Sequence, residues 1–236
     1  EGSGVAVRLE ALDVADEPGL RGLLARLDRE GWPAVRGVVH AAGMVRYASI
    51  LDSTEEELDT VAHAKVVGAW RLHMVLEKAP LDFFVLFSSA SAVLASPMVA
   101  AYAGANAFLD ALAHHRRARG LPALSIDWGL WGGVGMAEGL GAADLATLVA
   151  RGMGTIDVPR GFDLFARLLG SGRAQVAVLP VNWRRWRELY PAFTASRFLE
   201  GVVPPEGGSR VDASGSPAHR ATRTDTHMPR GHRCPT

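Results

Sequence analysis

Cysteine is nearly absent from this sequence: the only one in 236 residues is Cys234. No disulfide can therefore form within the chain, a composition that suits a reducing cytoplasm. Charge of one sign is missing too, because 25 Lys and Arg balance 25 Asp and Glu. A neutral chain has no electrostatic claim on nucleic acid or on an anionic membrane, and neither is expected as a partner. No uninterrupted apolar run approaches the roughly 18 residues of a spanning helix. The opening EGSGVAVRLE has no basic start, no apolar core and no initiator Met. No signal peptide is visible in it, and a fragment or processed chain is expected. No Gly-x-Gly-x-x-Gly lies between a strand and a helix, since Gly2 and Gly4 precede a strand directly. Metal is not expected either. His114 and His115 are followed by no Cys or carboxylate at ligand spacing, so a solvated pair is predicted.

What is there is enough apolar material, 48% of residues, to fill one sizeable core. Val5–Leu12 alternates and reads as a strand. Asp16 is placed to cap a helix reaching about Glu30. Residues 37–41 form a second strand ending in Ala42-Gly43. Ser53-Thr54-Glu55-Glu56 opens a helix running to about Lys78, where Ala79-Pro80 ends it. Residues 83–87 are a short apolar β-former run, and a helix carrying Tyr102 follows until Gly120 stops it. Strands are predicted at 123–128 and 175–180, and helices at 142–151 and 160–169. Trp183, Trp186 and Tyr190 read as a closing helix packed on the core. Alternating strands and helices imply an α/β fold, a parallel sheet with helices on both faces. Residues 130–158 read as a mobile lid insertion over a crevice. Residues 204–236 lack apolar periodicity and read as a disordered tail.

The stretch from Phe83 to Asp110 organises the rest. Ser88 and Ser89 end a buried strand, where open α/β sheets bind ligands. Tyr102 and Asn106 stand four residues apart and share a helix face. Taken singly, each residue has a plain reading: Tyr102 a core tyrosine, Ser89 a helix cap, Asn106 a turn residue, Lys65 a solvated helix charge. His40 reads as a satisfied strand-end histidine rather than a ligand.

Taken together they resemble the ketoreductase domain of type I modular polyketide synthases, within the short-chain dehydrogenase/reductase superfamily. Ser89 and Tyr102 are thirteen residues apart, Asn106 follows Tyr102 by four, and Lys65 precedes Ser89 by 24. Ordinary members of the superfamily carry Tyr-x-x-x-Lys, and the Lys and Asn are exchanged here. The segments HAAG, YAGANAFLDALAHHRRARGLPA and WGLWG fit as well. The resemblance covers about residues 4–203, the expected domain, and is most specific between 37 and 132.

That resemblance implies a Rossmann-like fold and NADPH-dependent reduction of a β-ketoacyl thioester on an acyl carrier protein. Tyr102 would donate the proton, Ser89 would hold the carbonyl oxygen, and Asn106 would support the relay. Lys65 would lower the phenol's pKa and hold the cofactor's ribose. Cofactor contacts would come from Lys65 and Tyr102, from Asp13 and Val14, from Ala41, Ala42 and Gly43, and from Gly129 and Leu130. Asp13 read alone is a plain N-cap, and Ala41-Ala42-Gly43 a tight strand exit. Against the family, the chain lacks the first two strands and the glycine-rich loop. A hole in the sheet, doubtful stability and weak or no cofactor binding by the isolated chain are therefore expected. Other synthase domains would be partners, including the missing N-terminal half of the ketoreductase. A non-catalytic scaffold remnant and a stand-alone reductase are the alternatives, and Asn106 in place of a Lys counts against the second. Neither stereochemical fingerprint is present. Met44-Val45-Arg46 stands where one class has Leu-Asp-Asp, and Leu94 and Val99 stand where the other often has Trp and Gln. The absent Leu-Asp-Asp leans to the second class.

Overall fold

A computed structural model describes residues 4–94, 96–135 and 141–203, the side chains of 142–145 excepted. They fall in two compact units divided between Asn182 and Trp183. The first contains α1 (Glu17–Arg29), β1 (Gly37–His40), α2 (Glu55–Ala62), α3 (Gly68–Leu76), β2 (Phe83–Ser89), α4 (Ala100–Ala118) and β3 (Leu124–Trp128). Then come β4 (Leu130–Trp131), α5 (Ala142–Ala150), β5 (Thr155–Ile156), α6 (Val158–Leu169) and β6 (Gln175–Val178). Local signals account for several boundaries. Thr54 caps α2 in a reciprocal capping box with Glu57, and the Asp157 side chain accepts the Arg160 N–H at the start of α6. Gly120, at φ 73°, takes the left-handed turn that ends α4. Asp16 has extended cap geometry, but its side chain makes no capping bond.

Four strands form one parallel sheet in the order β1-β2-β3-β6. The two-residue period of a strand sends alternate side chains to opposite faces, and both faces are covered. On one face Val38, Phe84 and Leu86 meet Ala69 and Leu76 of α3 and Leu109, Leu112 and Ala113 of α4. On the other, Val85, Leu124, Ile126 and Trp128 meet Leu164, Phe165 and Leu168 of α6. The expected parallel sheet between two helix layers is thus the architecture. The α4 face changes character at the carboxyl ends of the strands. Ser88 and Asp127 are buried there, in positions that alternate with the apolar ones, and Ser125 is buried one step earlier on the same face of β3. Within 130–158, β4 and β5 pair as a separate two-stranded parallel ribbon.

Two expectations fail at the start of the chain. Val5–Leu12 has no regular secondary structure and joins no ladder, and Val5, Val7 and Leu9 are 69%, 78% and 92% exposed. Alternation alone does not make a strand, which needs a neighbour for its backbone N–H and C=O groups. This segment is held instead by ion pairs of Arg8 with Glu10 and Glu30, and of Arg26 with Glu10. Nor is there a hole in the sheet. The four strands are contiguous, and β1 stands at an edge with Val39 left 47% exposed.

The second unit holds α7 (Trp183–Leu189) and α8 (Pro191–Thr194). Its aromatics meet one another. The Trp186 ring centroid lies 4.9 Å from that of Tyr190 and 6.4 Å from those of Trp183 and Phe193. The predicted tail, with Cys234, lies outside the described residues. Among those that are described, no helix is long and apolar enough to cross a membrane.

Candidate active site

Lys65 reaches the site through a local irregularity. Between α2 and α3 the helix widens into a π-helical turn, His63–Val67. Such turns insert one residue into the helical register and redirect side chains, often at functional sites. Lys65 is left 2% exposed, which removes its reading as a solvated charge. Its Nζ donates to the Phe87 carbonyl oxygen at 2.8 Å and lies 5.3 Å from the Tyr102 ring centroid. Burial lowers its pKa to about 8, against the opposing charge of Asp110.

Tyr102 lies in the first turn of α4, buried against Val61, Val99 and Ala105. Its phenol departs from expectation in direction. Burial raises its pKa, and the groups that favour the phenolate are the side chains of Ser89 and Asn106. The reason is geometric: the Lys65 ammonium is spent on a backbone carbonyl and sits by the ring face rather than at the hydroxyl. Ser89 fits its reading as a cap, since it accepts the Ser91 N–H at 3.2 Å at the start of the short 3₁₀ turn Ala90–Ala92. Asn106 is fully buried in mid-helix rather than in a turn. Its Nδ2 donates to the Tyr102 carbonyl at 2.7 Å, its own carbonyl accepts Ser88 Oγ at 3.2 Å, and its Oδ1 has no partner. Lys65, Ser89, Tyr102 and Asn106 thus converge from the π-helical turn, β2 and α4 on one corner of the sheet.

The other named residues are more scattered. Ala41, Ala42 and Gly43 follow β1 and are exposed. A Cβ on Gly43 would stand 2.6 Å from Lys65 Cε, so glycine is what lets Lys65 lie there. Gly129 donates its N–H to the Val178 carbonyl at 2.8 Å, and Leu130 enters β4. Asp13 caps no helix. Its carboxylate accepts the Ala15 N–H at 2.9 Å and meets His63 Nε2 at 2.8 Å. Val14 packs where a Cβ on Gly68 would be, 2.5 Å from Val14 Cγ1. His114 contacts Gln175 Oε1 at 3.2 Å, and His115 packs by ring contact near Trp70 and His73. Sequence reasoning missed three participants: the π-helical turn, the Phe87 carbonyl, and the buried carboxyl groups of Asp110 and Asp127 below Asn106. The polar residues at 125 and 127, in a strand whose other positions are apolar, were the available signal.

His40 differs from its expected satisfied state. Its Nε2 is buried without a partner, and burial, aided by the Lys65 charge, lowers its pKa to about 4. His73 is fully buried and is also held below its ordinary value, by burial and then by Arg116. Asp127 is shifted the other way, up to about 8, chiefly by burial. The signs follow by linkage. The two histidines stay neutral in the fold but protonate when unfolded, so their contribution is full above about pH 6.5 and is lost as pH falls toward their folded values. For His40 the loss amounts to roughly 3 kcal/mol. Asp127 stays protonated in the fold while its unfolded counterpart ionises, so its contribution falls as pH rises from about 4 to about 8. Stability is therefore expected to peak near pH 6.5. Urea midpoints measured from pH 4 to 8 check this, and a midpoint still rising from pH 6.5 to 8 would contradict it.

The family profile described as KR domain matches residues 1–133. Over 220 residues the chain is 40% identical to the pikromycin polyketide synthase component of Streptomyces venezuelae, covering 92% of the chain and 13% of that protein. Over 164 residues it is 43% identical to the phenolphthiocerol synthesis type I polyketide synthase of Mycobacterium bovis, covering 69% of the chain and 8% of that protein. Among solved structures, it is similar to A-type ketoreductases from a modular polyketide synthase, with TM-score 0.74 and 38% identity, covering 82% of this chain and 40% of that one. The chain therefore spans a small part of the curated relatives it matches and less than half of that ketoreductase.

Proposed function

The chain belongs to the KR domain family, the ketoreductases of modular polyketide synthases, and from that premise we propose that it is the catalytic part of an NADPH-dependent β-ketoacyl reductase. The reading rests on one observation, the convergence of Lys65, Ser89, Tyr102 and Asn106 beside the carboxyl ends of β1 and β2. The substrate would be a β-ketoacyl chain carried as a thioester by an acyl carrier protein, and the product the β-hydroxyacyl chain. Residues 1–203 would form the reductase part, with 130–158 lying over the crevice. The other synthase domains, including the nucleotide-loop half of the ketoreductase, would be its partners in the cytoplasm.

The residues present suit the nicotinamide–ribose end of the cofactor. Gly43 and Gly129 permit close approach at two strand ends, where an added Cβ would stand 2.6 Å from Lys65 Cε and 3.2 Å from Pro180 Cδ, so that Gly43 is what allows Lys65 its place beside the strand end. Lys65 keeps N–H donors beyond its one bond, and Asn106 Oδ1 is an unpartnered acceptor. Lys65, Tyr102, Ala41, Ala42, Gly43, Gly129 and Leu130 would hold that end. Asp13 and Val14 would meet the adenine once Asp13 exchanges its contact with His63. When bound, the cofactor supplies hydride to the β-carbon. Ser89 donates to the substrate carbonyl oxygen, where negative charge develops. Tyr102 gives that oxygen its proton, and burial keeps the phenol loaded with it until then. Asn106 supports the relay, and Lys65 contributes the positive charge of the pocket.

Titrating NADPH fluorescence against the chain tests this, first alone and then joined to the nucleotide-loop half of a related ketoreductase. Saturable binding is expected in the joined protein, weakened about tenfold or more by Lys65→Ala through lost charge-assisted hydrogen bonds. A folded joined protein that binds no NADPH would favour the scaffold reading instead.

A further inference from the structure

Directly beneath the corner that holds Lys65 and Asn106, the α4 face of the sheet buries two carboxyl groups. Asp110 lies one turn after Asn106 on α4, 6% exposed, and Asp127 lies on β3, 1% exposed. Ser125, which holds Asp110, and Asp127 stand two residues apart on the same face of β3, which sets the two carboxyl groups side by side. Ser125 Oγ donates to Asp110 Oδ1 at 2.6 Å, and Gln175 Nε2 donates to Asp127 Oδ2 at 2.8 Å. Asp127 Oδ1 has no partner donor. Two like charges in so dry a place cannot both persist, because each raises the cost of ionising the other. A proton between them removes one charge and supplies a hydrogen bond.

We propose that Asp110 and Asp127 hold one proton between them, resident on Asp127, and that the single negative charge left on Asp110 keeps the buried Lys65 an ammonium. They are positioning residues, acting through Lys65 and touching neither substrate nor cofactor. The proposal rests on the reductase reading only for its consequence in catalysis.

The surroundings agree. Asp127 is shifted upward by burial first and then by Asp110, against the hydrogen bond from Gln175. Lys65 feels burial pulling its pKa down and Asp110 pushing it up. The groups facing Lys65 are His40 from β1, the Phe87 carbonyl from β2, and Tyr102 and Asp110 from α4. Those facing the pair are Ser88 from β2, Ser125 from β3 and Gln175 from β6, with His114 of α4 on the far side of Gln175. Among these, Asp110 is the nearby anion that opposes the desolvation of Lys65.

The chain has two lysines, Lys65 and the exposed Lys78, so Lys65 can be titrated by NMR of ¹³Cε-labelled lysine with Lys78 as internal reference. In unmutated protein carrying ¹³C-carboxyl aspartate, one buried carboxyl is expected to remain protonated at pH 6. Asp127→Asn imitates the protonated carboxyl and should leave the Lys65 transition in place. Asp110→Asn should move it down by about one pH unit, while Lys78 stays still. The idea is overturned if every aspartate is ionised at pH 6, or if the two variants shift Lys65 equally or not at all. The aspartate titration needs no substitution, so a variant that does not fold leaves a decisive measurement. These readouts do not depend on turnover. A normal titration with no reductase activity would discard the proposed reaction and keep the carboxyl pair.

Discussion

Tyr102→Phe is expected to reduce turnover of a β-ketoacyl thioester by about 10²- to 10⁴-fold, the usual worth of a positioned proton donor. The substitution removes one oxygen and keeps the ring. Packing against Val61, Val99 and Ala105 therefore survives, as does the Asn106 bond to the Tyr102 backbone carbonyl, which involves no phenol atom. The loss should be confined to the chemical step. Single-turnover rates in the protein joined to its nucleotide-loop half, with NADPH affinity measured in parallel, separate the two quantities. An unchanged rate would remove Tyr102 from the reaction. A large fall in NADPH affinity at a constant rate would make it a binding residue. The direction of its titration bears on this. A phenol raised by burial is a poorer acid at rest than one lowered by an adjacent ammonium. In the proposed reaction its proton would be held through neutral pH and released to an alkoxide, a stronger base than the phenolate.

Arg116→Ala is expected to cost about 3–5 kcal/mol of stability, the largest effect we assign to a residue outside the active corner. Arg116 is 1% exposed on the inner side of α4. Its guanidinium carbon lies 3.9 Å from the Phe84 ring centroid, its Nε donates to the Pro122 carbonyl at 3.1 Å, and its Nη1 meets His73 Nδ1 at 2.9 Å. Truncation would empty the space over Phe84 and strand one buried and one part-buried acceptor. Because Nη1 has no lone pair to offer, it is the donor, and His73 must accept through an unprotonated Nδ1. Urea denaturation near pH 6.5 checks the size of the loss. A cost under about 1 kcal/mol would mean that the site collapses or takes in water. Arg116→Lys should fall between, since an ammonium cannot serve both acceptors in one plane and stack on the ring.

The layout of strands and helices was legible because period and punctuation are local. The β-formers of 83–87, the Ser53-Thr54-Glu55-Glu56 helix start and Gly120 each act on near neighbours, and the elements they predict are present within a few residues. Val5–Leu12 shows the limit. Its alternation suits a strand, but a ladder needs a partner, and partners are a tertiary matter. Lys65 shows a second limit. Its type and spacing singled it out, yet a regular helix would not reveal the π-helical turn, which is a choice of hydrogen-bond register decided by packing. The direction of the Tyr102 shift was misjudged for the same reason. Whether an ammonium reaches a hydroxyl or a carbonyl is a question of ångströms.

By itself, then, the sequence determined the class of fold and the neutral and almost cysteine-free character of the chain, and it singled out the four residues to which we assign the proposed chemistry. Each follows from residue type and spacing, which are written in one dimension. Tertiary structure alone decided the contiguous sheet with β1 at its edge, the burial of Lys65, the neutrality of His40 and His73, and the meeting of Asp110 with Asp127. All of these depend on how much water is excluded around a group and on what the fold brings within a few ångströms of it. Desolvation and charge proximity act through space, between residues that the chain keeps apart.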